Sequence, residues 1–138
     1  MISAVDTSIL LDILKGDNRF GPGSAAALRR ATAEGRLVVS IAVWAEVSSA
    51  YVDANEAAVA MTRLGLELVP DDISVASAAG IAWRAYRRSG GTRRRVLTDF
   101  LIGAHAAAKA DRLMTRDRGF YRSHFQPLQI LDPSVDRP

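Results

Sequence analysis

Four acids stand where they could act together: Asp6 in VDTS, Glu46 in SIAVWAEVSSAYV, Asp99 in VLTDFLIGAHAAAKA and Asp117 in LMTRDRGF. Each also has a local explanation. Asp6 or Asp99 could cap a helix, Glu46 could face solvent, and Asp117 could close an Asp-x-Gly turn. At helical spacing, however, Glu46 falls beside Ala42, Val43 and Ala50, not on a clear polar face. The local explanations must all hold at once, whereas one shared site accounts for all four. Carboxylates brought together repel and lose hydration, so such a site needs positive charge. One or two Mg²⁺ or Mn²⁺ ions would supply it, because both prefer hard oxygen ligands. With two histidines and no cysteine, zinc is disfavoured, and thiol catalysis and disulfides are excluded. Oxygen-bound ions of this kind activate water and stabilise the leaving oxygen of a phosphodiester, so phosphodiester hydrolysis is the chemistry these acids suggest.

The elements that must position them alternate along the chain. Ile2 to Val5 reads as a strand, followed by a helix from Thr7 to Lys15. Gly21-Pro22-Gly23 reads as a break, with a helix from Ser24 to Ala33 ended by Gly35. A second strand is expected over Leu37 to Ser40 and a helix over Ile41 to Val52, with Trp44, Val47 and Tyr51 on one side. Further helices are expected from Asn55 to Leu64, from Asp71-Asp72 to Ser89 and from Leu97 to Ala110. Strands are expected at Leu66 to Val69, Arg112 to Thr115 and Leu128 to Leu131. Short strands separated by helices imply a short, mainly parallel sheet of about five strands covered on both faces, an α/β/α arrangement. Ligands of such sheets bind at the carboxyl ends of the strands. Asp6 follows the first strand and Asp117 the fourth, Glu46 lies in the helix after the second, and Asp99 opens the helix leading to the fourth.

A chain of 138 residues, 49% hydrophobic and 24% charged, fits one globular domain. The expected division is a domain over 1–132 and a C-terminal tail over 133–138. The opening MISAVDTSILLDILKGD has acids among its apolar residues and no basic run before them, the reverse of a signal peptide. No stretch approaches the roughly 20 apolar residues of a membrane helix, so the expectation is a soluble, cytoplasmic protein without membrane contact. The formal charge of +3 favours polyanions weakly. Its distribution says more: six arginines fall between Arg84 and Arg95, and Arg116, Arg118 and Arg122 follow Thr115.

Taken together, VDTSILLDIL, SIAVWAEV, LTDFLIGAHA and LMTRDRGF resemble the PIN-domain family of nucleases, and most closely the VapC toxins of bacterial toxin–antitoxin modules. The resemblance runs from Val5 to about Phe120, with the segments in the family's order. Phe100 stands where a small residue is common, and Gly103 replaces an alanine. The resemblance implies a PIN-like three-layer fold and a Mg²⁺- or Mn²⁺-dependent endoribonuclease acting as a growth-inhibiting toxin, with water as nucleophile. It implies Asp6, Asp99 and Asp117 as principal metal ligands, and Glu46 on a second ion or on a metal-bound water. Ser8 and Thr115 match the family hydroxyls that orient carboxylates; local turn capping would explain them as well. Partners implied are RNA, a cognate antitoxin and a second copy of the chain. Arg93, Arg94, Arg95 and Arg116 are candidates for RNA phosphates, since phosphate contacts dominate nucleic-acid affinity.

Other residues point elsewhere. His105 and His124 are too far apart for a histidine catalyst, and His105 is expected to pack or to face solvent. Asp12, Asp53, Asp71, Asp72 and Asp111 read as solvated or capping acids. Trp44, Trp83 and Tyr86 read as core or dimer contacts. Three further functions compete: an RNA-processing PIN nuclease without an antitoxin, an aspartate-dependent phosphatase, and a non-catalytic RNA-binding module. The phosphatase pattern expects a second acid two residues after Asp6, where this chain has Ser8.

Overall fold

The computed structural model describes residues 1–91 and 95–135, so the readings of Arg93, Arg94 and the end of the tail lie outside the described residues. The apolar runs form strands β1 (Ile2–Val5), β2 (Arg36–Val39), β3 (Leu66–Leu68), β4 (Arg112–Met114) and β5 (Gln129–Leu131). Between them lie helices α1 (Thr7–Leu14), α2 (Gly21–Glu34), α3 (Ile41–Ser48), α4 (Ala54–Arg63), α5 (Ile73–Arg88), α6 (Leu97–Lys109) and α7 (Arg118–His124). The strands form one sheet in the order β3-β2-β1-β4-β5, and every pairing is parallel. The sheet is wholly parallel rather than mainly so, because a helix carries each strand to the next. Ser3 at the centre pairs with Leu37 on one side and Arg112 on the other.

The chain leaves β1 towards β2 and β3, then returns to the opposite side of β1 for β4. The topological switch point therefore lies between β1 and β4, where α/β sheets open a crevice. Right-handed crossovers place α1 to α4 on one face and α5 to α7 on the other. Aromatic packing agrees: Phe100 of α6 meets Tyr86 of α5 at 5.4 Å and Phe120 of α7 at 5.2 Å. With both faces covered, the central strands are apolar throughout. Ala4, Val5, Leu37, Val38, Val39, Leu113 and Met114 are all buried.

The structure departs from the sequence reading in three places. Gly21-Pro22-Gly23 opens α2 instead of breaking the chain, with proline in the first turn, where its missing N–H has no helical partner to lose. The helix after β2 stops at Ser48 rather than Val52, and Ser49 Oγ turns back to donate to the Glu46 carbonyl at 2.6 Å. Helix α7 was not anticipated, since its seven residues are too few to show a period. Gly35, by contrast, is required where α2 ends, because a Cβ there would lie 1.9 Å from the Met1 carbonyl oxygen.

Gly103 of α6, which replaces the family alanine, has its open side taken by Phe125, whose ring would lie 2.3 Å from an added Cβ. Glycine here lets the end of α7 close on α6. Gly103→Ala gains about 1 kcal/mol of helix propensity but forces a buried ring to move, at about 1–3 kcal/mol. The expected net loss is up to about 2 kcal/mol in urea unfolding. Unchanged or increased stability would show that the Phe125 ring moves aside freely.

Candidate metal and active site

Asp6 is the residue immediately after β1. Its backbone N–H donates to the Met114 carbonyl at 3.0 Å, which fixes it against the end of β4. It is also the N-cap of α1: Oδ1 accepts from the Thr7 N–H at 2.7 Å. Oδ2 accepts from Thr115 Oγ1 at 2.7 Å. Thr115 is fully buried, and the same Oγ1 accepts from the Asp117 N–H at 3.0 Å. One hydroxyl thus joins the first acid to the segment that carries the fourth. Asp117 precedes α7 but makes no side-chain cap there, so local capping does not explain it. Its carboxylate is ion-paired with Arg95.

Glu46 lies on α3 with its side chain exposed, and Oε1 accepts from Thr7 Oγ1 at 2.7 Å. Asp99, in the first turn of α6, accepts from the Val96 N–H at 3.2 Å. The capping explanations of Asp6 and Asp99 are therefore correct as far as they go, but each uses only part of a carboxylate. Among the described residues, Asp99 Oδ1 and Glu46 Oε2 accept no hydrogen bond. Ser8 Oγ, on the first turn of α1, is buried without a hydrogen-bond partner among the described residues, so neither role considered for it is made there.

The electrostatics link these groups. Burial pushes the Asp6 carboxyl up to about 6, against the pull of Thr115 and Thr7, and the charges of Glu46 and Asp99 push it the same way. Tyr121 of α7 is buried, and its hydroxyl is held far above its ordinary value, first by burial and then by Asp6, Asp99 and Asp117. Three of the four acids thus act on one phenol. All four come from different elements and reach the ends of β1 and β4, as the sheet rule requires.

The donors fit a hard divalent cation: carboxylates at a water-accessible edge, a partnerless buried hydroxyl, and an Asp6 whose charge is disfavoured without a nearby cation. The match is one of chemistry and not of finished geometry. No group of three acids or histidines among the described residues is drawn closely enough around one point to hold an ion. Three of these acids have other partners here, with Arg95 on Asp117, Thr7 on Glu46 and the Val96 N–H on Asp99.

Other readings need correction. Asp12 is neither solvated nor a cap. It is buried on α1 and takes a two-pronged pair from Arg116, Nε to Oδ2 at 2.8 Å and Nη2 to Oδ1 at 3.0 Å, with Ser24 Oγ donating at 3.1 Å. Arg116 also stacks on Phe20, 4.0 Å from its centroid. Its charge is therefore engaged inside the fold, on one wall of a cleft of about 1020 Å³ that Arg19, Phe20, Arg30 and Pro133 also line. Asp53 and Asp72 cap α4 and α5 as expected. Asp111 accepts from the Ile2 N–H at 2.6 Å. Asp71 Oδ1 is buried without a partner among the described residues. His105 packs in the core with Nε2 2.8 Å from the Val69 carbonyl oxygen. Thr7 and Tyr121 were missed as parts of the site; Thr7 was read only as the start of a helix, and Tyr121 lies on the unanticipated helix.

Residues 4–125 match the family model for the PIN domain, and the chain belongs to that family. Solved structures share its fold. A chain of VapBC2 from Rickettsia felis, bound to a DNA fragment from its promoter, is 19% identical, with 96% of this chain and 98% of that one covered and a TM-score of 0.74. A chain of VapBC-1 from nontypeable Haemophilus influenzae is 18% identical over 97% and 99%, with a TM-score of 0.72. A chain of a toxin–antitoxin complex from Klebsiella pneumoniae is 18% identical over 95% and 97%, with a TM-score of 0.64. No curated protein sequence matches the chain closely enough to count as a relative. No helix among the described residues is long and apolar enough to cross a membrane.

The raised Asp6 carboxyl has a consequence for stability. The folded protein holds this proton between an unfolded value of 3.8 and about 6, so stability falls as pH rises through that window. The cost above pH 6 is up to about 3 kcal/mol. Without divalent cations, Asp6→Asn is therefore expected to melt above the parent at pH 7 to 8, with the advantage disappearing by about pH 4. A variant equally or less stable than the parent across this range would show that Asp6 carries no such cost.

Proposed function

We propose that this chain is a Mg²⁺- or Mn²⁺-dependent endoribonuclease that acts as the toxin of a toxin–antitoxin pair. The reading is supported by the charges of Glu46 and Asp99 acting on Asp6, and by Asp6, Asp99 and Asp117 acting together on Tyr121, in a member of the PIN family. The toxin role is supported by the similar structures, which are VapBC chains and a toxin–antitoxin complex.

In this reading Asp6, Asp99 and Asp117 hold the cation, and Glu46 holds a second ion or a bound water. When bound, the cation lowers the pKa of water and offsets charge on the phosphate. The chain's own residues do the positioning. Thr115 keeps Asp6 aimed by donating to one oxygen, and the Thr7 N–H fixes the other. Thr7 Oγ1 steadies Glu46. Arg95 lies beside Asp117 and is the described arginine best placed for RNA phosphate, with Arg93 and Arg94 preceding it in sequence. Arg116 is less suited to that role, because Asp12 already takes its charge. An aspartyl-phosphate mechanism is disfavoured, since Ser8 stands where that chemistry places a second acid. A second copy of the chain is also part of the reading, and exposed Ile73 and Ile81 on α5 offer an apolar surface for it.

The purified protein should cleave RNA with Mg²⁺ or Mn²⁺ and stop in EDTA. Asp6→Asn, Asp99→Asn and Asp117→Asn should each lower the rate by about 100-fold or more, beyond the usual effect of losing a supporting hydrogen bond. Expressed alone in bacteria the parent should arrest growth, Asp6→Asn should not, and a small partner protein encoded beside it should restore growth. Cleavage that persists in EDTA would refute the metal mechanism. Metal-dependent cleavage without growth arrest would favour the RNA-processing alternative.

A further inference from the structure

Arg95 is where the chain spends a positive charge on its own acidic site. Its guanidinium pairs with Asp117 and lies 4.3 Å from the centroid of Phe120, so the cation is held from two sides. Phe120 is itself buried and packed edge-on against Phe100 and Tyr121. The stack therefore rests on a fixed aromatic floor and not on a loose side chain. Burial works against the Arg95 charge, yet the hydrogen bond and charge of Asp117, with Asp99 beyond it, hold the guanidinium above its ordinary value. Arg95 thus senses two of the acids assigned to the cation. Among the described residues neither Asp6 nor Glu46 receives comparable help: their hydrogen-bond partners are an N–H and hydroxyls, which carry no net charge.

We propose that Arg95 is an internal counter-ion that competes with the divalent cation for Asp117, and so sets how tightly the site takes metal. This rests on the reading of the acids as a metal site. A carboxylate oxygen engaged by a guanidinium is not available to an ion, and two positive charges at one carboxylate repel. Loading the site therefore either displaces Arg95 from that oxygen or places two cations on one carboxylate, and in both cases the arginine weakens metal binding. The Phe120 ring gives the released guanidinium a place to remain, off the carboxylate. One arginine would then limit metal uptake in the resting protein and bind substrate in the loaded one. The pair is partly exposed, with side-chain accessibilities of 30% and 40%, so its effect on affinity is modest.

The test is calorimetric titration of Mn²⁺ into parent, Arg95→Gln and Arg95→Lys at one pH and ionic strength. Arg95→Gln should bind Mn²⁺ about threefold to fivefold tighter than the parent. Arg95→Lys, which keeps the charge, should stay near the parent. In the parent, the Arg95 side-chain ¹⁵Nε resonance, identified by its loss in Arg95→Gln, should shift as Mg²⁺ is added. Equal or weaker Mn²⁺ binding by Arg95→Gln, or equal tightening by Arg95→Lys, would overturn the proposal while leaving the metal site standing. If neither parent nor Arg95→Gln binds Mn²⁺, the metal site itself is refuted, and the proposal with it.

Discussion

The site depends on a carboxylate held where the fold disfavours its charge. Asp6 follows a buried strand and is fixed by its own backbone to the end of β4, so it cannot withdraw to solvent without breaking the sheet's edge. Its neighbours deepen the cost, because Glu46 and Asp99 add negative charge from α3 and α6. A fold tolerates such a position when something else gains from it. The surrounding elements are arranged as though to contain this charge. Thr115 and the Thr7 N–H hold the two oxygens of Asp6, and the N-terminus of α1 faces it with the positive end of its dipole.

The same constraint orders the rest of the crevice. The order in which the chain adds strands reverses between β1 and β4, which opens a crevice where several strand ends and helix starts can meet around a ligand. The acids occupy those ends, and the supporting hydroxyls belong to the same short segments. Away from the crevice, charges are neutralised within the fold. Asp12 and Arg116 satisfy each other between α1 and the segment after β4, and Lys109 pairs with Asp72. The acids of the crevice are different: apart from the Arg95 contact, the protein supplies them with no matched cation among the described residues.

Much of this was legible in the sequence because the signals were local and repeated. Continuous apolar runs marked β1, β2 and β4, and Gly35 marked the end of α2. The sheet rule placed Asp6 at the end of the first strand and Asp117 at the end of the fourth, and the fold shows that those two strands are neighbours. What stayed hidden was long-range or short-period. Helix α7 is two turns long and is held by aromatic contacts that no spacing announces, so Tyr121 went unnoticed. Asp12 reads as an ordinary helical acid, and only folding brings Arg116 to it. Gly103 reads only as a departure from the family alanine, and the fold shows that it makes room for Phe125. The arginine run before α6 could be counted but not aimed, and Arg95 turned out to face Asp117.

The most direct test of the account is the ionisation of Asp6 itself, followed by its side-chain ¹³C carboxyl resonance in pH titrations with and without Mg²⁺. Without the cation the account predicts a midpoint near 6, as burial and the neighbouring acids require. With saturating Mg²⁺ the midpoint should fall below the ordinary range of a free carboxyl, about 4, because a bound cation favours the charged form. An Asp6 that titrates near 4 without the cation, or whose midpoint near 6 is unmoved by Mg²⁺, would contradict the claim that this crevice is built around a metal ion.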